Sequence, residues 1–302
     1  MSPQSSSMVE LLVRGAAAVD SSMIIELPDG KIINPYGYYP TLWVCALFVA
    51  LFGLSTILHL GQALSTRKWY LLPTIVLGGC GEVIGWVARL WSAKNIGNPT
   101  PFLMQVRTTI ISPTFLAGAN FIILGTIIKR IGPQYSRLAP NKYGIIFVTI
   151  DILALWVQAA GGGMASSATQ KVDGDPSKGG HVMLIGIVIQ LVEIFIYAVL
   201  AAEFFYNYST NRVVRRYSPA ARRRNNSASS SIMDDNLKWM SYGLFFSTVL
   251  LFIRAIYRTI ELSNGWHGRI IHTQIYFNIL DGAMVALSMY TINLIHPGIL
   301  LS

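Results

Sequence analysis

Seven stretches of the chain are almost continuously apolar, and polar residues gather between them. They fall at residues 41–61, 70–91, 102–128, 144–163, 182–205, 239–261 and 271–295. Each reaches the ~20 residues that a helix needs to cross the hydrocarbon core of a bilayer. The runs are unbroken, whereas a barrel strand shows alternation over about ten residues. The pattern predicts an all-α polytopic membrane protein, a seven-transmembrane-helix bundle. Pro113 lies inside the third stretch and predicts a kink or tilt there.

The organisation that follows is an N-terminal tail at 1–39, expected to be poorly ordered, a membrane domain at 40–298 and a short C-terminus at 299–302. The domain carries one long loop at 206–238. Composition agrees with the hydropathy pattern. Hydrophobic residues make up 53% of the chain and charged residues 12%, against about 25% charged in a soluble domain. A soluble enzyme of this size is excluded.

The net charge of +9 sits mostly in loops and orients the bundle. Loops 1–2, 3–4 and 5–6 carry 13 Lys and Arg. The tail and the loops on the other side carry 6, at Arg14, Lys31, Lys94, Lys171, Lys178 and Arg269. Positive charge collects on the cytoplasmic side, so the N-terminus is expected outside and the C-terminus inside, in the plasma membrane. Loop 206–238 holds Arg222-Arg223-Arg224 and the run Ser227-Ala228-Ser229-Ser230-Ser231, and reads as a flexible cytoplasmic segment open to phosphorylation. The triplets Asn207-Tyr208-Ser209 and Asn225-Asn226-Ser227 fall on that side and are expected to stay unglycosylated.

The basic residues lack the interleaved aromatics of a nucleic-acid binder. The first 39 residues lack the basic start, apolar core and cleavage site of a signal peptide. Cys45 and Cys80 both fall within spans, so no disulfide framework is expected.

Charges inside the spans carry the most information, because each costs at least ~2.5–3.5 kcal/mol at a helix centre unless it is satisfied. Glu82 and Arg89 share a face of span two with Gly78, Gly81 and Gly85 nearby, a face that suits close helix packing or an ion pair. Span four has Asp151 and Gln158, then Gly161-Gly162-Gly163. Span five has Gln190, Glu193 and Tyr197. Span six has Arg254, Arg258 and Glu261 on one face beside Tyr257, with an Arg258–Glu261 contact feasible at i, i+3. Span seven has Gln274, Asn278 and Asp281 on one face. Glu82, Asp151, Gln158, Glu193, Gln274 and Asp281 are candidates for a polar cavity; Arg89, Arg254, Arg258 and Glu261 are candidates for structural ion pairs. Acids of that number suit an ammonium head group, but pairing off as bundle glue fits the same residues.

Other chemistry finds little support. His267 and His272 are five apart, not at the i, i+4 spacing of a helical metal pair. No GxxxxGK[ST] run for nucleotide phosphates occurs, and no lysine lies in a span. No cofactor or metal is implied, and protein partners are not legible.

Four strings occur in order along these spans. They are Gly81-Glu82-x-x-Gly85-Trp86-x-x-Arg89, Asp151-x6-Gln158-Ala-Ala-Gly161-Gly162-Gly163, Arg254-x-x-Tyr257-Arg258-x-x-Glu261 and Asn293-x-x-His296-Pro297-Gly298. Together they resemble the fungal lipid-translocating exporters, the RTA-like proteins, over roughly residues 40–298. The resemblance implies seven spans, an external N-terminus and a fungal source. It also implies export or flop of sphingoid long-chain bases and resistance to toxic amphiphiles, with membrane lipids as partners. Many members carry Glu where this chain has Gln274. Two rival readings keep the same fold: a seven-helix receptor or stress sensor, and, with less support, a membrane-embedded lipid hydrolase.

Overall fold

A computed structural model describes residues 24–27, 30–33, 36–96, 98–168, 176–214, 234–263 and 270–301. Seven helices are long and apolar enough to cross a membrane. In chain order they are α1 (Leu42–Thr66), α2 (Trp69–Lys94), α3 (Pro99–Ile131), α4 (Pro140–Ala168), α5 (Pro176–Ser209), α6 (Asp235–Ser263) and α7 (Gln274–Leu300).

Each helix runs past at least one edge of its apolar stretch. Helical hydrogen bonding does not stop where hydrocarbon ends, and proline suits the first helical position, where its missing N–H is not needed. Pro99, Pro140 and Pro176 open α3, α4 and α5. At α3 the Asn98 side chain also caps the start by accepting from the Thr100 N–H at 3.0 Å.

The distribution of residues is that of a protein in lipid. Large apolar side chains face outward, as with Ile185, Val192, Phe195 and Val199 along α5. Charged side chains such as Glu82, Arg89, Asp151, Glu193 and Arg258 face inward and are at most 5% exposed. Water would favour the reverse, so the chain is an integral membrane protein.

α3 lies at the centre and packs on α2, α4 and α6. The α2–α3 contact runs along the glycine face anticipated from sequence. A Cβ on Gly78 would come within 2.8 Å of the Ser112 carbonyl, and one on Gly85 within 2.7 Å of Thr108 Oγ1. α4 and α5 approach still more closely. Added methyl groups on Gly161 and Gly179 would strike backbone atoms of the opposite helix, and the glycine run of α4 does not end that helix, which continues to Ala168. Aromatic rings fill the inner side. Phe121, Phe147 and Tyr197 meet between α3, α4 and α5, with Phe121 and Tyr197 centroids 4.7 Å apart.

Two features add to what the sequence predicts. Within the tail, β1 (Ile24–Leu27) pairs antiparallel with β2 (Gly30–Ile33), matching Ile24 to Ile33. Two helices also contain π segments, at Leu72–Val76 in α2 and Phe277–Ala283 in α7. Pro113 leaves α3 continuous. The serine run, the triplet at Asn225, Arg222 to Arg224 and His267 lie outside the described residues.

Candidate functional site

The inward charges divide into three groups. The first is built on α6. Arg258 grips Asp281 side-on, with Nε donating to Oδ1 at 2.9 Å and Nη2 to Oδ2 at 2.7 Å. Its Nη1 donates to Glu261 Oε2 at 2.7 Å, one turn along the same helix. The other oxygen of Glu261 accepts from the Tyr257 hydroxyl at 2.8 Å. Arg254 Nε lies 2.8 Å from Asp281 Oδ1. Two-pronged pairing of this kind fixes orientation as well as charge. The π segment of α7 contains Asp281, and the extra residue such a bulge inserts turns the following side chains relative to a regular helix.

α3 completes this group from the other side. Thr109 Oγ1 accepts from Arg258 at 3.0 Å, and the Thr109 carbonyl accepts from Arg254 at 2.6 Å. Glu82 on α2 is within electrostatic reach of Asp281, Arg254 and Arg258. Yet neither of its buried oxygens accepts a hydrogen bond among the described residues, and the nearby Trp86 Nε1 is also without an acceptor.

The second group faces a cavity between α3, α4, α5 and α6. Its empty volume is about 530 Å³, mouth included. Asp151 enters from α4, Glu193 and Gln190 from α5, Arg254 and Arg258 from α6, and Thr114 from α3. Ile110, Phe121, Ile187, Ile194 and Leu251 make the rest of the wall largely apolar. The Asp151 and Glu193 carboxyl groups meet at hydrogen-bonding range, with Gln190 beside Asp151. Oδ2 of Asp151 and both oxygens of Glu193 have no donor among the described residues. The Gln190 amide is held at both ends, accepting from Gln158 at 2.8 Å and donating to Thr114 at 2.9 Å.

The third group lies at the end of the bundle where the tail joins α1. Arg89 is 1% exposed and pairs with no carboxylate among the described residues. It donates to Tyr38 at 2.6 Å and to Gln105 at 3.2 Å, and lies 4.4 Å from the Phe277 ring centroid and 5.2 Å from that of Tyr36. Aromatic faces carry the partial negative charge that offsets a guanidinium. Tyr36 donates to Gln105 at 2.7 Å, and its carbonyl lies 2.9 Å from His272 Nδ1. Burial pushes the Tyr36 hydroxyl up to about 12, so it stays a neutral donor at ordinary pH.

A family model described as RTA1 like protein matches residues 75–302. The chain belongs to the RTA1-like protein family. Among its relatives is the Sphingoid long-chain base transporter RSB1 of Saccharomyces cerevisiae, 28% identical over 281 residues, covering 87% of this chain and 73% of that one. Another is the Probable lipid transporter atnI of Emericella nidulans, 24% identical over 281 residues, covering 90% of this chain and 70% of that one. A third, Protein RTM1 of Saccharomyces cerevisiae, is 24% identical over 210 residues and covers 68% of this chain and 61% of that one. No solved structure matches.

In this RTA1-like bundle the residues grouped by sequence as one cavity set fall in different places. Asp151 and Glu193 face the cavity. Gln158 stands behind it and steadies Gln190. Asp281 is taken up by the two arginines, because the bulged turn of α7 directs it toward α6. Glu82 sits beside that cluster. Gln274 accepts from Thr41 at 3.1 Å, near the start of α1, away from the cavity.

The RTA1-like structural set divides as well. Arg254 and Arg258 make ion pairs and also contribute to the cavity wall. Glu82 and Arg89, seven residues apart on one face, are not a pair. Thr109 and Thr114 carry no sequence signal, since a threonine in an apolar run costs little. The described residues contain no cluster of His, Cys, Asp and Glu suited to a metal ion.

Proposed function

We propose that this protein carries amphiphilic lipids with a cationic head, sphingoid long-chain bases among them, between the leaflets of a membrane. The observation that carries the reading is the Asp151–Glu193 pair. These two acids adjoin in a cavity whose remaining wall is largely apolar, and neither has a basic partner among the described residues. Five buried acids (Glu82, Asp151, Glu193, Glu261 and Asp281) share the bundle's middle with two arginines, Arg254 and Arg258. The arginines are committed to Asp281 and Glu261, which leaves excess negative charge at the cavity. An ammonium group answers that charge, and its hydrocarbon tail suits the apolar wall and the lipid outside it.

In this reading Asp151 and Glu193 hold the ammonium, and Gln190 presents its amide to a neighbouring hydroxyl. The Arg254–Arg258–Asp281–Glu261 cluster holds α6 and α7 in register. Relatives named as lipid transporters support the substrate class. A transporter without a nucleotide-binding motif would draw on a gradient, and export of such lipids from the plasma membrane would confer resistance to toxic amphiphiles. The excess of Lys and Arg in alternate loops favours an external N-terminus and an internal C-terminus. A reporter fused after Ser302 is therefore expected to be cytoplasmic.

The direct test uses purified protein in lipid vesicles with a fluorescent sphingoid base in one leaflet and a neutral glycolipid carrying the same dye as control. The base should cross faster than in protein-free vesicles while the glycolipid does not. Equal rates with and without protein would overturn the reading.

A further inference from the structure

We infer that the Asp151–Glu193 pair is also a proton-exchange site, so that movement of a cationic amphiphile one way is coupled to movement of a proton the other way; this rests on the translocation reading above. Two carboxyl groups in contact repel each other when both are ionised, and they can hydrogen-bond only when a proton lies between them. Here the groups come from different helices, α4 and α5, and meet at hydrogen-bonding range. Three of their oxygens have no other donor. A lysine, arginine or histidine beside them would remove the need for a proton.

Among the described residues none pairs with either acid. α6 offers Arg254 and Arg258 to the same cavity, but among the described residues their ion pairs go to Asp281 and Glu261 and their remaining bonds to Thr109, not to Asp151 or Glu193. α3 contributes Thr114 and apolar groups. On α5 the Tyr197 hydroxyl donates to the Asn120 carbonyl at 3.1 Å. On α4 the neighbour is Gln158, whose amide is spent on Gln190. The empty pair therefore holds a proton between its oxygens.

The exchange balances simply. An ammonium head entering the cavity brings one positive charge and several N–H donors. The bridging proton leaves as the head arrives, and the two carboxylates then face one organic cation. When the lipid departs on the other side, the pair takes up a proton there. One cation has crossed in each direction, so the cycle moves no net charge.

Sphingoid bases lose their own proton and blur this measurement, so the probe should be a fluorescent long-chain quaternary ammonium amphiphile. Full-length protein is placed in weakly buffered vesicles with a pH-sensitive dye inside, and the membrane potential is clamped. On adding probe outside, the interior should become alkaline in step with its inward movement, one proton leaving per probe molecule. An acidic interior should speed the movement and an alkaline one slow it. In the double variant D151N/E193Q any residual movement should leave interior pH flat. Probe movement by the natural protein with flat interior pH, at a rate indifferent to the gradient, would overturn the exchange and leave translocation standing. No movement of either the probe or a sphingoid base would overturn both.

Discussion

Arg254 donates to the backbone carbonyl of Thr109 at 2.6 Å, and that carbonyl is free because the residue four positions later is Pro113. A helical carbonyl normally accepts from the N–H at i+4, and proline has none. In hydrocarbon the orphan would cost free energy. A guanidinium satisfies it, and the same side chain pairs with Asp281. One proline thus links α3 to the charged cluster of α6 and α7.

The relationship makes Arg254 and Pro113 interdependent. Arg254→Met should destabilise the protein by roughly 1–3 kcal/mol, since Asp281 keeps Arg258 but the buried Thr109 carbonyl loses its donor. Adding Pro113→Ala restores an N–H to the Thr109 carbonyl and should recover about 1 kcal/mol of that loss. A double-mutant cycle by chemical or thermal unfolding measures the coupling. Additivity within about 0.5 kcal/mol would mean the two do not interact.

Arg258 sits deeper in the network than any other cation and bonds Asp281, Glu261 and Thr109. Arg258→Ala should cost about 3–5 kcal/mol by stranding carboxylates in low dielectric. Lys178→Ala, at an exposed position near the start of α5, should stay within about 0.5 kcal/mol. Melting temperatures and yields of folded protein distinguish them. Equal values would mean water reaches Arg258.

The fold was legible because lipid imposes a blunt rule: about twenty apolar residues per crossing, helical throughout. Glu82, Arg89, Asp151, Glu193, Arg258 and Asp281 stood out for the same reason, each being costly where it lies. Their partners were not legible. Periodicity assigns residues to faces of one helix, but Arg258 meets Asp281 across two helices, and Glu82 and Arg89 share a face without pairing. Arg89 instead reaches Tyr38, which precedes the first span. The π segment that carries Asp281 leaves no mark in hydropathy. Gln190 was visible only as one polar residue among several on α5. Its place at the cavity depends on how closely α4 and α5 approach.

That approach is set by glycine. A side chain on Gly179 would meet the backbone of Ala165 and Gly161, and backbone cannot turn aside. Gly179→Val should therefore lower the melting temperature and separate Asp151 from Glu193, with transport falling as well. Gly163 has open space around it, so Gly163→Ala should be neutral, or stabilising by up to about 1 kcal/mol because alanine favours the helix. Thermal unfolding and transport of both variants test this. A fully stable and active G179V would show that the helices need not touch there.

The most direct test of the acidic cavity is efflux of sphingoid base per molecule of surface protein, with Glu193→Gln set against Asp281→Asn. The amide at Glu193 keeps the volume and removes the charge that meets the head group, at a position with no basic partner to strand among the described residues. The amide at Asp281 leaves two arginines without their shared carboxylate. Glu193→Gln should reach the surface at normal abundance and show reduced efflux per molecule, whereas Asp281→Asn should be lost mainly as protein. Gln274→Glu, remote from the cavity, should leave efflux per molecule unchanged. Undiminished efflux per molecule in Glu193→Gln would contradict the proposal that this cavity carries the lipid.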